Sequence, residues 1–315
     1  MLVTGGAGFI GSHLVDRMLA FGYRVTILDD LSTGLRENVA DGAILVVGDV
    51  AEHETVGRVF ADAAFDAVFH TAGQASIFRS FERPERDLRT NVQGTLNVVQ
   101  ACVDHGVARL VNASSMTTYG EPATIPTPEW EPCVPISFYG VTKYAAERYV
   151  QISGLRDDVE LAVTSLRMFN VYGERQSISN PYQGVLAIFL GNVLRGEPIT
   201  IHSDGEQTRD FVFIDDVVDA WMRVLDEPAT FGRVFNVGSG EETSINLLAE
   251  KVLSVLAERS AERNVRRVPA QTGDLRRSCA EVSALREATG WEPQVSLEEG
   301  LRRTARWAAA LQKGS

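Results

Sequence analysis

Lysine is nearly missing from this chain. Three residues, Lys143, Lys251 and Lys313, stand against 27 arginines in a length of 315. A protein that carries its positive charge almost wholly on arginine keeps lysine where a compact, flexible point charge does what a planar fork cannot. Cysteine is scarce as well. Cys102, Cys133 and Cys279 are odd in number, far apart and without metal-ligand spacing, which excludes a disulfide framework and suits free thiols in a reducing, cytoplasmic setting. The five histidines form no His-Glu-x-x-His or similar cluster, so no metal site is expected. No apolar run reaches about 18 residues, so nothing is expected to span a membrane. The apolar start Met1-Leu2-Val3 lacks a basic flank and runs straight into glycine, which reads as a strand rather than a signal peptide. Positive charge as a whole is short. A net charge of −12 argues against a nucleic-acid surface and offers no basic face to a membrane. The one arginine-rich stretch, six residues between Arg259 and Arg277, lies beside acidic residues and reads as a solvated face. Repeats, low-complexity tracts and linkers are absent.

What remains is ordinary globular composition, 44% hydrophobic and 23% charged, in a chain long enough for one large or two modest domains. Short β-branched runs at 1–4, 24–29, 43–47, 67–70, 109–113 and 161–167 read as strands. Amphipathic stretches at 10–21, 54–63, 84–105 and 138–153 alternate with them as helices. Alternation of this kind predicts an α/β fold with a Rossmann-like, doubly wound parallel sheet and right-handed crossovers. After Val171 the order loosens, with a helix at 184–195, two short strands, further core segments at 211–224 and 234–237, and a helix at 247–258. The expected division is therefore a cofactor-binding domain over 1–172, its core completed by about 210–238, and a smaller mixed α/β lobe over 173–315. That lobe would close over a ligand at the carboxyl ends of the sheet.

Two motifs carry chemistry. Tyr139-Gly140-Val141-Thr142-Lys143 puts a phenol and an ammonium one helical turn apart on one face. With seven tyrosines and three lysines, an accidental pair at this spacing is expected only about 0.07 times. A nearby cation favours the phenolate, so the spacing predicts a lowered tyrosine pKa and a general base working near neutral pH. Gly5-Gly6-Ala7-Gly8-Phe9-Ile10-Gly11 follows the first strand and opens a helix, so that Gly5, Gly8 and Gly11 let backbone amides at a helix N-terminus approach a pyrophosphate. The second strand ends at Asp29, 18 residues after Gly11, where an acid can bind adenosine ribose hydroxyls. The same acid would repel a 2′-phosphate, so the cofactor expected is NAD rather than NADP.

With these residues in place the chain resembles the extended short-chain dehydrogenase/reductase family, and within it the NAD-dependent nucleotide-sugar epimerases and dehydratases, nearest the UDP-hexose 4-epimerases. The markers run through nearly the whole length: Thr4–Gly11, Asp29–Ser32, Gly48-Asp49-Val50, His70–Gln74, Asn91–Thr95, Ser114-Ser115 with Tyr119-Gly120, the Tyr139/Lys143 pair, Arg167–Gly173 and Gly205–Phe211. The resemblance implies a cofactor set of Gly5, Gly8, Phe9, Ile10, Gly11, Asp29, Asp30, Leu31, Thr33, Gly34, Asp49, Val50, Thr71, Ala72, Gly73, Gln74, Asn91, Tyr139 and Lys143. Within it Asp49 and Val50 flank the adenine, Thr71–Gly73 line the diphosphate and ribose, and Asn91 supports the active-site helix. It implies Ser115, Tyr139 and Lys143 as catalytic residues, with Ser115 hydrogen-bonding the reacting sugar hydroxyl. Substrate would be held by Ser115, Tyr139, Asn170, Gly184, Val185, His202, Arg209, Asp274 and Ser278, with Asn170 and Arg209 on the nucleotide diphosphate and Ser278 beside the sugar C2 substituent. It also implies a homodimer through the helices 84–105 and 138–153.

Three positions depart from the family pattern: Gln271 for a second phosphate-binding arginine, His202 for an aromatic ring on the uracil, and Met168 for a tyrosine near the nicotinamide. Family members that eliminate water or carbon dioxide place an acid/base residue directly after the serine. Here stand Met116 and Thr117, which cannot exchange a proton in that role. The reaction expected is C4 epimerisation of a nucleotide-activated hexose of the UDP-glucose/UDP-galactose type, N-acetyl forms included, through a transient 4-keto sugar. An NAD(P)H-dependent 4-keto reductase, marked by stoichiometric cofactor consumption, and a non-catalytic nucleotide-sugar sensor, marked by no turnover, stay open as alternatives.

Overall fold

A computed structural model of the chain describes residues 1–180, 184–256, 265–269 and 275–314. The first half runs β1 (Leu2–Thr4), α1 (Phe9–Ala20), β2 (Thr26–Asp29), β3 (Ile44–Val47), α2 (His53–Asp62), β4 (Ala67–His70), α3 (Ile77–Glu82), α4 (Pro84–Leu88), a π-helical segment Arg89–Gln93, α5 (Gly94–Asp104), β5 (Arg109–Ser115), α6 (Phe138–Ser153), β6 (Ala162–Met168) and β7 (Asn170–Tyr172). The second half adds α7 (Val185–Leu194), β8 (Ile199–His202), β9 (Thr208–Arg209), β10 (Phe211–Phe213), α8 (Ile214–Leu225), β11 (Arg233–Val237), β12 (Thr243–Ser244), α9 (Ile245–Val255), β13 (Val265–Val268), α10 (Ser283–Thr289) and α11 (Leu297–Gly314).

Seven strands form the main sheet in the order β11-β6-β5-β4-β1-β2-β3, all parallel. This is the doubly wound arrangement expected. The order in which strands are added reverses between β1 and β4, which opens the crevice at the carboxyl ends of those strands where α/β sheets bind ligands. β5 is buried along all seven residues, as a central parallel strand covered by helices on both faces must be. Of the smaller two-stranded pairs, β9–β12 and β8–β13 belong to the second half, and β7–β10 joins the two halves.

Local chemistry accounts for the element ends that matter. α6 starts where the Ser137 hydroxyl accepts from the Gly140 amide at 3.0 Å, a cap that contributes about 1 kcal/mol and fixes which face Tyr139 presents. α4 starts at Pro84, whose fixed φ and missing N–H suit a first helical position. On α1, Leu14, Val15 and Met18 recur at helical spacing and are fully buried against the sheet.

Three expectations change. The stretch 84–105 is not one helix but α4 and α5 joined through the π-helical segment, and α3 precedes them. The core segment 211–224 divides into β10 and the strongly amphipathic α8, with Trp221 wholly buried. The helix α11 was not among the expected elements, because its long polar face hides the apolar stripe Leu301, Ala305 and Ala308.

Candidate active site

A cavity of about 970 Å³ opens at the carboxyl ends of β1, β2 and β4. It gathers Gly5, Gly8, Phe9, Ile10, Gly11, Asp29, Asp30, Thr33, Asp49, Val50, Thr71, Ala72, Gly73, Gln74, Tyr139 and Lys143, sixteen of the positions named from sequence. The glycine loop has to be glycine. A Cβ on Gly11 would lie 2.1 Å from the Gly5 carbonyl oxygen, and Gly5, at φ +71°, would put its Cβ 2.7 Å from the Ala72 nitrogen. The backbone therefore approaches the crevice as closely as a diphosphate at a helix N-terminus needs. Asp29 is buried, and its Oδ2 and Oδ1 accept from the amides of Ala7 (2.9 Å) and Leu31 (2.8 Å). Burial raises its pKa and the two amides oppose that shift. Each oxygen keeps a lone pair for a hydroxyl. Gly34 lies behind it, with room for no Cβ beside Asp29 Oδ1 (2.8 Å), and Leu31 takes a positive φ of 57° in the same turn. Gly34 and Leu31 thus shape the turn without lining the cavity.

Asn91 lies beneath the cavity wall in the π-helical segment. Its Oδ1 accepts from the Gln74 amide (2.8 Å), and its Nδ2 donates to Gln74 O (3.1 Å) and to Thr142 Oγ1 (3.1 Å). It thereby ties the loop after β4 to α6, the helix that carries Tyr139 and Lys143. A π-bulge at such a place is a common companion of functional sites.

Tyr139 and Lys143 share the inner end of the cavity, and the Tyr139 hydroxyl is hydrogen-bonded by the Ser115 side chain. Ser115 Oγ also accepts from Thr117 N (3.3 Å) and Thr117 Oγ1 (3.0 Å). Electrostatically the pair departs from expectation. Burial pushes the Tyr139 phenol up to about 12, the Ser115 hydrogen bond draws it down, and the negative charge of Asp87 raises it further. The lowered tyrosine pKa expected from the Tyr139/Lys143 spacing is therefore not found in the protein alone: desolvation outweighs any benefit from the ammonium. Lys143 itself is brought down to about 8 by burial, with Asp87 and then Glu147 opposing. Glu147 is already committed. It is held by Arg167 through Nε (2.9 Å) and Nη2 (2.6 Å) and accepts from Ser114 Oγ (2.6 Å).

Of the substrate set, Tyr139 lines this cavity, whereas Ser115, Asn170, Gly184, Val185, His202, Arg209 and Ser278 do not. Arg209 donates from Nη1 to Thr208 O (2.6 Å) and Leu275 O (2.8 Å). Asn170 Nδ2 donates to Asp210 O (3.0 Å). Asp210 is fully buried and collects the amides of Ser239, Gly240 and Ala280, so it braces the loops around both residues. Ser278 is buried and its Oγ lies 3.1 Å from Met116 Sδ, in a small recess with Tyr119, Phe169 and Leu275. Arg209, Ser278 and the Ser115–Met116 turn are thus neighbours. His202 stands apart on β8, where its Nδ1 lies 3.3 Å from Pro269 O. Gly184 and Val185 open α7, with Gln176 Nε2 within 3.8 Å of where a Gly184 Cβ would be. Asp274 and Gln271 lie outside the described residues. Met168, in register with Ser115, lines the cavity.

Sequence reasoning missed Arg79, Arg83 and Arg86 of the α3–α4 wall, Arg175, and Trp307 of α11, all of which line the cavity. None stands in a motif; tertiary packing alone brings them there. Among the described residues no group of acids, histidines and cysteines could hold a metal ion, and no helix is long and apolar enough to cross a membrane.

Fold and site together define a nucleotide-dependent oxidoreductase-type crevice with a Ser/Tyr/Lys centre. Residues 1–238 match the NAD dependent epimerase/dehydratase family, and the chain belongs to that family. It is similar to the UDP-glucose 4-epimerase of Mycolicibacterium smegmatis, 40% identical over 309 residues and covering 96% of each chain. Its fold superposes on the crystal structure of the Thermotoga maritima UDP-glucose 4-epimerase with UDP-glucose, with a TM-score of 0.94, 38% identity and 99% of each chain covered. It is also 35% identical to UDP-glucuronic acid decarboxylase 2 of Arabidopsis thaliana, over 96% of this chain and 66% of that one. The family's cofactor fits the residues present: a glycine cradle that no Cβ could enter, a buried acid beside it, and a cavity of sufficient size.

Proposed function

We propose that this chain is a C4 epimerase of a nucleotide-activated hexose of the UDP-glucose/UDP-galactose type, with N-acetyl forms accepted. The observation that carries this reading is the surroundings of Ser115. The side chains that follow it are a thioether engaged by Ser278 and a hydroxyl that donates to Ser115, so neither position offers an acid for elimination or decarboxylation. Similarity to 4-epimerases over the full length supports the same reading. Residues 1–172 with β11 are taken as the cofactor domain and 173–315 as the substrate lobe.

When bound, NAD would supply a reversible hydride acceptor for C4 and act as a resident cofactor rather than a co-substrate. The protein's part is proton and position. Ser115 holds the C4 hydroxyl against Tyr139, and Tyr139 takes the hydroxyl proton as oxidation proceeds and gives it back on reduction. Lys143 supplies a fixed positive charge beside the phenolate. Asn170 and Arg209 grip the nucleotide diphosphate while the 4-keto sugar turns over its other face. Asp29 selects NAD by accepting from ribose hydroxyls where a 2′-phosphate would be repelled.

Incubating the full chain with a panel of nucleotide sugars and following products by NMR tests the reading. Interconversion of UDP-glucose and UDP-galactose without net consumption of cofactor is the expected outcome. A 4-keto or decarboxylated product, or stoichiometric loss of NAD(P)H, would refute it.

A further inference from the structure

Asp87 is the most costly residue near the site that no motif announced. It is wholly buried on α4, beneath the Tyr139/Lys143 pair. Its Oδ2 accepts from Thr142 Oγ1 at 2.6 Å, and its Oδ1 accepts from Gln74 Nε2 at 2.7 Å and Asn91 Nδ2 at 3.2 Å. These partners come from three different elements, and each borders the Tyr139/Lys143 site. Thr142 precedes Lys143 on α6, Gln74 lines the cavity, and Asn91 joins the two. All three are neutral. A buried carboxylate is costly unless a cation offsets it, and among the described residues no arginine or lysine is paired with it. Were hydrogen bonding its only task, a neutral side chain of the same shape would do it without that cost.

The cation whose charge acts on Asp87 is Lys143, which follows its partner Thr142 on α6; burial raises the Asp87 pKa, and Thr142, Gln74 and then Lys143 oppose that shift. Around Lys143 the charged and titratable groups are Asp87 from α4, Tyr139 and Glu147 from its own helix, and His70 from β4. Glu147 is neutralised by Arg167 of β6. His70 is locked neutral between Thr4 Oγ1 (2.7 Å to Nδ1) and Thr95 Oγ1 (3.0 Å to Nε2). Asp87 is the acid left whose charge is not spent on another group.

We propose that Asp87 is the counter-charge of the active site, a positioning residue whose buried carboxylate keeps Lys143 protonated and braces the Gln74 loop against α6. This deepens, and rests on, the reading of Tyr139 and Lys143 given above. Asp87 acts on both partners in one direction: it favours the ammonium of Lys143 and disfavours the phenolate of Tyr139. Removing its charge should therefore shift both titrations toward lower pH.

The rarity of lysine makes the test direct. Labelling the full chain with lysine carrying carbon-13 at Cε gives three side-chain signals, and the one lost in Lys143→Met identifies Lys143. In Asp87→Asn, which keeps the shape, can accept from Gln74 and Asn91 through its oxygen and can donate to Thr142 Oγ1 through its amide nitrogen, the Lys143 midpoint should fall by about one pH unit or more. Both limbs of the kcat–pH profile should move the same way, while Thr142→Val, which removes a hydrogen bond but no charge, should leave the Lys143 midpoint within about 0.3 units. If Asp87→Asn does not fold, Asp87→Ser carries the same measurement. An unmoved Lys143 midpoint overturns the proposal, whatever happens to activity, and would make Asp87 a brace alone. A shifted midpoint in a protein that turns over no nucleotide sugar would uphold the counter-charge and defeat the epimerase reading instead.

Discussion

At the scale of single residues, the site is governed by desolvation more than by the pairing of opposite charges. Tyr139 held at about 12 and Lys143 at about 8 are both pushed by burial toward their neutral forms. Tyr139→Phe removes the proton acceptor and leaves the ring's packing, so kcat should fall by about 10²-fold or more while NAD remains bound. Lys143→Arg should fail similarly, since a planar fork cannot occupy the place of a point charge facing Gly73. Turnover near the wild-type rate in either variant, measured with UDP-galactose, would exclude that residue. At Ser278 the expectation is steric. A bulky side chain at that buried position, against Met116, should cut activity on UDP-N-acetylglucosamine far more than on UDP-glucose, so Ser278→Tyr should shift the ratio of the two kcat/KM values. Equal losses on both sugars would defeat that assignment. The Tyr139/Lys143 pair and the glycine loop were readable from sequence because each is a local spacing with one geometric meaning. Asp87 was not readable, because two of the groups that give it meaning, Gln74 and Thr142, lie 13 and 55 residues away.

At the scale of elements, strands and long helices were legible where one period ran without interruption, as in α6 and β4. The stretch 84–105 was not, since a π-helical insertion keeps the apolar recurrence nearly intact while turning Asn91 inward. β4 carries a pH response of its own. Burial holds His70 neutral, with its pKa lowered to about 3 against an ordinary 6.5, and the charge of Lys143 acts in the same direction. Between those values the unfolded chain binds a proton that the folded one refuses. Stability is thus full above about pH 6.5 and declines as pH falls toward 3. His70→Gln can still reach Thr4 and Thr95 but does not titrate. Urea melts at pH 7 and pH 4.5 should show a stability loss for wild type that exceeds the variant's by about 2–3 kcal/mol. Equal losses would mean that His70 takes no part in acid unfolding.

At the scale of the whole molecule, α3, α4 and α6 present Phe81, Leu88, Phe138, Val141, Tyr149 and Ile152 to solvent on neighbouring surfaces, with the rings of Phe81 and Phe138 in contact. Of the apolar positions on α5 that an interface through 84–105 would draw on, Val99 is instead buried in the chain's own core with Val103 packed on it. The dimer we expect therefore uses α3, α4 and α6 more than α5. Light scattering at micromolar concentration should give twice the monomer mass, and Phe138→Glu should halve it by burying an unpaired charge at the contact. A monomer for the wild type would rule this assembly out. The parallel sheet was legible because parallel strands need long crossovers. The seats of Asn170, Arg209 and Ser278 were not, since Asn170 is tied to Asp210, Arg209 to Leu275 and Ser278 to Met116, all partners far away in sequence or outside any motif.

The position of β11 in the sheet has a consequence for how the protein is made. β6 is covered on its outer edge only by β11, which leaves the ribosome about 65 residues later. At synthesis rates of about 5–20 residues per second, the nascent sheet waits several seconds with an unpaired edge open to solvent. During that interval the growing chain is open to pairing with a neighbour on the same message, and a slower messenger between codons 169 and 232 would lengthen the exposure without altering a single residue of the finished enzyme.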